Sequence, residues 1–322
     1  MLAIALAGMA VATGVVREVI GLEDAVVLGA GPSLPRFAPL LAENPGYALY
    51  VSALQTLPVL RPLGLKPDFC LALDYDDSML KVYDRLDPAF AEDIPLIYST
   101  KVNPELVRRY PGPTLPLWTM GGIATFVLQD REFVMDAGGN VSVTLLRLLR
   151  YMGIGSILLA GQDFAWIGGA THASGHHATS RLPRFDPGRH QRLANLYGEE
   201  IISSIQYLTS KRDLEDDIRK SPFRIRNLYG GGAVIEGAKA VTFQEAVNDG
   251  FLASAPGSRE RLLHALNLAR TPCPDLRFEP RSHIWTSSIR HVEKRMQKLF
   301  RHHEKSQGEI HDLLEQALFF VK

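Results

Sequence analysis

Short apolar runs alternate with helical stretches through the first half of this chain, and few architectures accept that pattern. AVVLG (25–29) precedes SLPRFAPLLAE (33–43), and YALYVS (47–52) precedes LQTLPVLRPL (54–63). FCLALD (69–74) precedes DSMLKVYDRL (77–86), and PLIYS (95–99) precedes NPELVRRY (103–110). TLPLW (114–118), the glycine-rich DAGGN (136–140), the helix VSVTLLRLLRYM (141–152) and SILLAG (156–161) continue the series. The runs are β-rich and apolar at successive positions. Both faces must therefore be covered, as in a parallel sheet between helices. The expected class is α/β, a Rossmann-like doubly wound and mostly parallel sheet, with ligands at the carboxyl ends of its strands.

The pattern changes after residue 164. AWIGGATHASGHHATSRLPRFDPGRH (165–190) has no periodicity and is expected to be a long functional loop. A helix is expected over 191–210, and a last strand over 224–229 with the turn GGG after it. In the tail, Trp285, Ile289, Val292, Met296 and Leu299 form one apolar stripe at helical spacing, read as domain packing or a route to oligomers. Ser306 and Glu309 read as a capping box. The expected organisation is a lead-in helix (1–24), a Rossmann-like domain (25–240) and a C-terminal helical appendage (241–322).

Charge narrows the partners. Lys+Arg and Asp+Glu both number 35, so no overall basic field draws the chain to nucleic acid or acidic membranes. The opening MLAIALAGMAVATGVV has no charged side chain, but it lacks a basic n-region and falls short of the ~20 residues of a spanning helix. A lead-in helix is favoured over a secretion signal or membrane span. Cys70 and Cys273 lack metal-ligand spacing and fit a reduced, cytoplasmic protein.

The first turn, LGAGPSLPRF (28–37), resembles a dinucleotide fingerprint but lacks its third glycine, where Leu34 stands. The second strand also ends without the ribose-binding acid, so NAD is disfavoured. What remains is a turn in which Gly29 and Gly31 bring the backbone close to a ligand, while Pro32 and Ser33 open a helix whose N–H groups face an anion. A plain strand-to-helix turn explains it equally well when it is taken alone. Asp74, Asp76 and Asp77 follow the third strand, where carboxylates can hold a ribose or Mg²⁺ against phosphates; Asp77 or Ser78 also suits a helix cap. Gly138-Gly139-Asn140 opens another helix, and Gly161-Gln162-Asp163 ends the next strand. His172, His176 and His177 follow; a neutral imidazole there can take a proton from a hydroxyl, although solvated loop histidines are the plainer reading. No zinc-binding spacing is present.

VVLGAGPSL, LGLKPDFCLALDYDD, GGNVSV…MGIGSILLAGQDFAW, THASG and NLYGGGAVIEGA, in this order over residues 25 to about 240, resemble the MptE-like family, which includes the central domain of bacterial motility accessory factors. The resemblance implies a nucleotide-dependent transferase. Archaeal members pass pyrophosphate from ATP to 6-hydroxymethyl-dihydropterin. Motility accessory factors are similar to bacterial sialyltransferases, whose GxGPSL turn binds a CMP donor. The preferred expectation is therefore a glycosyltransferase using a CMP-linked, sialic-acid-like donor, needing no cofactor, with a protein or sugar hydroxyl as acceptor. Gly29, Gly31, Pro32 and Ser33 would hold the phosphate, and Asp74, Gly139, Asn140, Gly161 and Gln162 would touch nucleotide or donor. Asp163 would orient the site and His172 would act as base, with His190 the substitute. The alternatives are a diphosphokinase with Mg²⁺ on Asp74 and Asp76, and a nucleotide-sugar binding protein without turnover.

Overall fold

The computed structural model describes residues 24–117, 119, 135–138, 140–179, 184–221, 223–253, 256–268, 289–298 and 300–301. Residues 1–23, Gly139, Cys273, Trp285, Leu299, Ser306 and Glu309 lie outside the described residues.

The apolar runs form one parallel sheet. Its strands are β1 (Asp24–Leu28), β2 (Leu49–Ala53), β3 (Phe69–Ala72), β4 (Leu96–Ser99), β5 (Thr114–Leu117), β6 (Ser156–Ala160), β9 (Arg224–Leu228) and β10 (Lys239–Val241), in the order β10-β9-β6-β1-β2-β3-β4-β5. The chain thus runs outward from β1 to β5, then returns to the other side of β1 and continues outward through β6. Side chains alternate between two packed layers. Val26 and Leu28 join the core that includes Leu34, Phe37 and Leu41 of helix α1 (Leu34–Ala42). Ala25 and Val27 join the core that includes Leu145, Leu148 and Leu149. This two-sided burial is what the uninterrupted apolar runs require.

Three expectations are corrected. Residues 54–63 are not one helix, because Pro58 and Pro62 remove backbone donors. They form a 3-10 turn, the short helix α2 (Leu57–Leu60) and a second 3-10 turn. Residues 191–210 are not one helix either. The hairpin β7 (His190–Ala194) and β8 (Glu200–Ser204) occupies their first half. Asn195 Oδ1 accepts the N–H groups of Tyr197 and Glu199, and Gly198 sits at φ +77°, so the turn outcompetes helix continuation. Finally, β9 is followed by β10, after the Gly230–Gly232 turn.

The remaining helices are α3 (Pro88–Ala91), α4 (Pro104–Arg109), α5 (Val141–Tyr151), α6 (Ile205–Arg219), α7 (Phe243–Asn248) and α8 (Ser258–Leu268). The chain divides into two compact units, Met1–Met120 with Glu132–Asp275, and Gly121–Arg131 with Leu276–Lys322. The described part of the second unit is helical over 289–298, where Ile289 and Val292 are exposed. No helix among the described residues is long and apolar enough to cross a membrane.

Candidate functional site

The strand order reverses between β1 and β6, and the loops leaving these two strands meet there. That is where an open parallel sheet has its ligand crevice. Gly29 N–H donates to Ala160 O (2.8 Å) and Gly31 N–H to Gly161 O (2.9 Å), so the loops are stitched along their backbones. Asp163 completes the brace. Its buried carboxylate accepts Ser33 N–H on Oδ2 (2.7 Å) and Ser33 Oγ–H on Oδ1 (2.6 Å). Burial pushes the Asp163 pKa up, and the two Ser33 bonds oppose that rise.

This brace changes the reading of the first turn. The anion expected at the start of α1 is supplied by the protein itself, as Asp163. Gly29, Gly31, Ser33 and Leu34 all spend their N–H groups internally. The glycines make room for the neighbouring loop. A Cβ on Gly31 would lie 2.4 Å from Asp163 Oδ2 and 2.5 Å from Gly161 O, and one on Gly29 would lie 2.4 Å from Gly161 O.

Beside the brace lies a cavity of about 360 Å³, within the range of small-molecule sites. Gly29, Gly31, Pro32, Asp74, Asn140, Gly161, Gln162, Asp163 and His172 all line it. The sequence separates these residues by more than a hundred positions, and the fold gathers them at one crevice. Ser33 acts from behind the wall through Asp163. Gly139 lies outside the described residues. Asn140 caps α5, accepting Val143 N–H (3.0 Å) and donating to Ser210 O (3.2 Å). Gln162 Oε1 accepts Ser142 Oγ–H (2.9 Å).

His172 is the imidazole of this wall with the fullest set of contacts. Its ring stacks on His176 at 4.1 Å, and His176 stacks on His177 at 4.6 Å. Tyr207 Oη donates to Thr171 O (3.2 Å) and lies 3.1 Å from His172 Nε2 and 3.4 Å from its Nδ1. Nδ1 also lies 3.2 Å from Thr171 Oγ1. Burial, with His177 beside it, pulls the His172 pKa down to about 4. His176 is pulled to about 2 by burial and by His172, and its carbonyl accepts an N–H from Arg85 (2.8 Å). Both are therefore neutral near pH 7. His176 also lines the cavity, whereas His177 does not. His190 is on β7, edge-on to Trp166 at 4.6 Å, and is not part of this wall.

The acidic cluster after β3 divides. Asp74 lines the cavity, and its carboxyl is raised by desolvation and by the Asp76 charge. Asp76, not Asp77 or Ser78, caps the following 3-10 helix: it accepts Ser78 N–H (2.7 Å), which lowers its pKa. Asp76 is fully exposed and does not line the cavity. A two-carboxylate grip on Mg²⁺ thus does not fit well: one member faces the crevice and the other is occupied as a cap. Among the described residues no group of three or more His, Cys, Asp or Glu is placed to hold a metal.

Two contributors escaped the sequence reading. Tyr207 sits in the first turn of α6, a position hidden by the misplaced helix start. Gln55 lines the cavity, and its buried Oε1 has no hydrogen-bond partner, so a ligand amino or hydroxyl group can satisfy it. No sequence pattern singles it out.

Fold and crevice together define a Rossmann-like α/β protein with its small-molecule cavity at the switch point. Residues 11–169, just under half of the chain, match the family described as 6-hydroxymethylpterin diphosphokinase MptE-like. No curated protein matches the chain. Among solved structures it is similar to the MAf glycosyltransferase from Magnetospirillum magneticum AMB-1, at 17% identity and a TM-score of 0.56, over 91% of this chain and 48% of that one. The chain thus spans about half the length of that protein, and the likeness is one of fold.

Proposed function

We propose that the protein is a nucleotide-dependent glycosyltransferase using a CMP-linked, nonulosonic-acid-type donor. One observation carries this reading: a half-buried, neutral imidazole, His172, shares the switch-point cavity with the Gly29–Pro32 turn and the Asp163 brace. Transferase names on both the matching family and the structural neighbour support the broader class.

In this reading an acceptor hydroxyl attacks the anomeric carbon of the donor. The bond from that carbon to the phosphate oxygen breaks, and its electron pair leaves with CMP. The hydroxyl proton passes to the unprotonated ring nitrogen of His172, whose ring is held beside the Tyr207 hydroxyl. Asp163 keeps the loops in register. Since Gly29, Gly31, Ser33 and Leu34 spend their N–H groups internally and Asn140 spends its amide on the α5 cap and Ser210, the side chains of Gln55, Gln162 and Asp74 are left to recognise ribose and base. The division of Asp74 from Asp76 favours this chemistry over metal-assisted pyrophosphoryl transfer.

The test is CMP release from a CMP-activated nonulosonic acid, with sugar and peptide hydroxyl acceptors, in the presence of EDTA. We expect release that persists in EDTA and falls in His172→Ala. Pterin-dependent AMP formation from MgATP, without CMP release, would replace this reading with the diphosphokinase.

A further inference from the structure

A second cavity, of about 650 Å³, opens next to the first along the chain. Asp163–Ala165 line the first cavity, and Trp166–Gly169 line the second. Its walls carry an unusual set of groups. Arg36 is exposed in it and has no ion pair among the described residues. Tyr197 is 58% exposed, a high value for a tyrosine in a cavity wall. Its ring is nevertheless fixed, edge-on to Tyr229 at 5.4 Å, and the Tyr229 hydroxyl is pinned between Leu196 N–H (2.9 Å) and Gly232 O (2.7 Å). Glu199 holds one oxygen on Asn195 Nδ2 (2.9 Å), which leaves its other oxygen to accept. Gly168 and Gly231 present bare backbone.

We infer that this cavity binds an anionic sugar. A rigid, half-bare aromatic face suits the C–H side of a pyranose ring and costs little ordering on binding. A carboxylate accepts hydrogen bonds from ring hydroxyls. An unpaired guanidinium is a planar fork matched to a carboxylate or phosphate. The volume lies within the roughly 300–1,000 Å³ of small-molecule sites. Glu200 does not compete for Arg36, because its charge is met by Arg192 at 2.6 Å. In the glycosyl-transfer reading, on which its role rests, the cavity is the acceptor side; its occupancy can be measured without any transfer.

The experiment is titration of the full chain with glucuronic acid, glucose 6-phosphate and glucose, followed by saturation-transfer NMR and calorimetry. Arg36 and Tyr197 are exposed, so Arg36→Gln and Tyr197→Ala should fold, which melting temperature checks. We expect one or both acidic sugars to bind at least tenfold more tightly than glucose, the better of the two showing whether carboxylate or phosphate is preferred. Arg36→Gln should erase that margin, and Tyr197→Ala should weaken the acidic sugars by tenfold or more. Equal binding of glucose, no binding of any probe, or acidic-sugar binding unchanged in Arg36→Gln would overturn the inference. Acidic-sugar binding in a protein that ignores CMP would contradict the donor reading and leave this cavity standing.

Discussion

His172 and Asp163 carry different burdens, and substitutions separate them. A general base is typically worth about 10²–10⁴-fold in rate, so His172→Ala should lose turnover in that range with little change in donor affinity. His176→Ala and His177→Ala should lose less. Since burial and His177 hold His172 near 4, kcat/KM should be flat between about pH 5 and 8 and fall only as the pH approaches 4. An acid limb near 6.5 would point to a different base. Asp163 is a brace. Asp163→Ala strands the Ser33 N–H and should cost about 2–4 kcal/mol in urea unfolding. Asp163→Asn keeps an acceptor for Ser33 N–H and avoids burying a charge, so its cost should be nearer ~1 kcal/mol. Most of these residues were legible as types at strand ends. Their partners were not: nothing in the sequence says that Ser33 answers to a carboxylate 130 positions away.

At the level of elements, the Gly-x-Gly turn is a joint between β1 and β6. Gly31→Ala places a methyl against Asp163 Oδ2 and Gly161 O, a contact no side-chain adjustment of Gly161 can relieve. It should lower stability by ~1–3 kcal/mol or more, read by thermal unfolding, as overpacking does. A folded Gly31→Ala protein of wild-type stability that merely lost ligand affinity would restore the phosphate-cradle reading. The stacked histidines make a second element-scale prediction. Their folded pKa values, about 4 for His172 and about 2 for His176, lie below the ordinary 6.5. The unfolded chain therefore binds more protons in this window, and stability drains away as pH falls from 6.5 toward 4. Asp68, raised to about 6 by burial, acts in the opposite direction over part of the same range. The clean readout is consequently a difference: His176→Gln should lose less melting temperature between pH 6.5 and 4 than the wild type does. The His172–His177 segment was recognised as chemistry-bearing, but the stack was not, because it depends on loop backbone with no periodic signal. The hairpin at 190–204 was missed for a related reason. Apolar spacing in 191–210 read as a helix, while Asn195 and Gly198 held the turn information.

At the scale of the whole molecule, the sheet was the most legible feature. Runs such as Ala25–Leu28 and Ile157–Ala160 are apolar on both faces and can be buried only between two helical layers. The strand order was not legible: the return of the chain past β1 to β6 appears only in the fold, and it sets where along the carboxyl ends of the strands the crevice lies. The identity of the ligand is a property of a few cavity groups, several of them without sequence signature, as Gln55 and Tyr207 show. That ligand can be read directly from thermal shifts with CMP, CDP and ATP at matched concentration, each with Mg²⁺ and with EDTA. A ligand of the folded state at one hundred times its Kd stabilises by about 2.7 kcal/mol, an easily resolved shift. We expect CMP or CDP to raise the melting temperature above the ATP value, undiminished by EDTA. A rise confined to ATP with Mg²⁺ would contradict the cytidine-linked donor and make Asp74 a metal ligand.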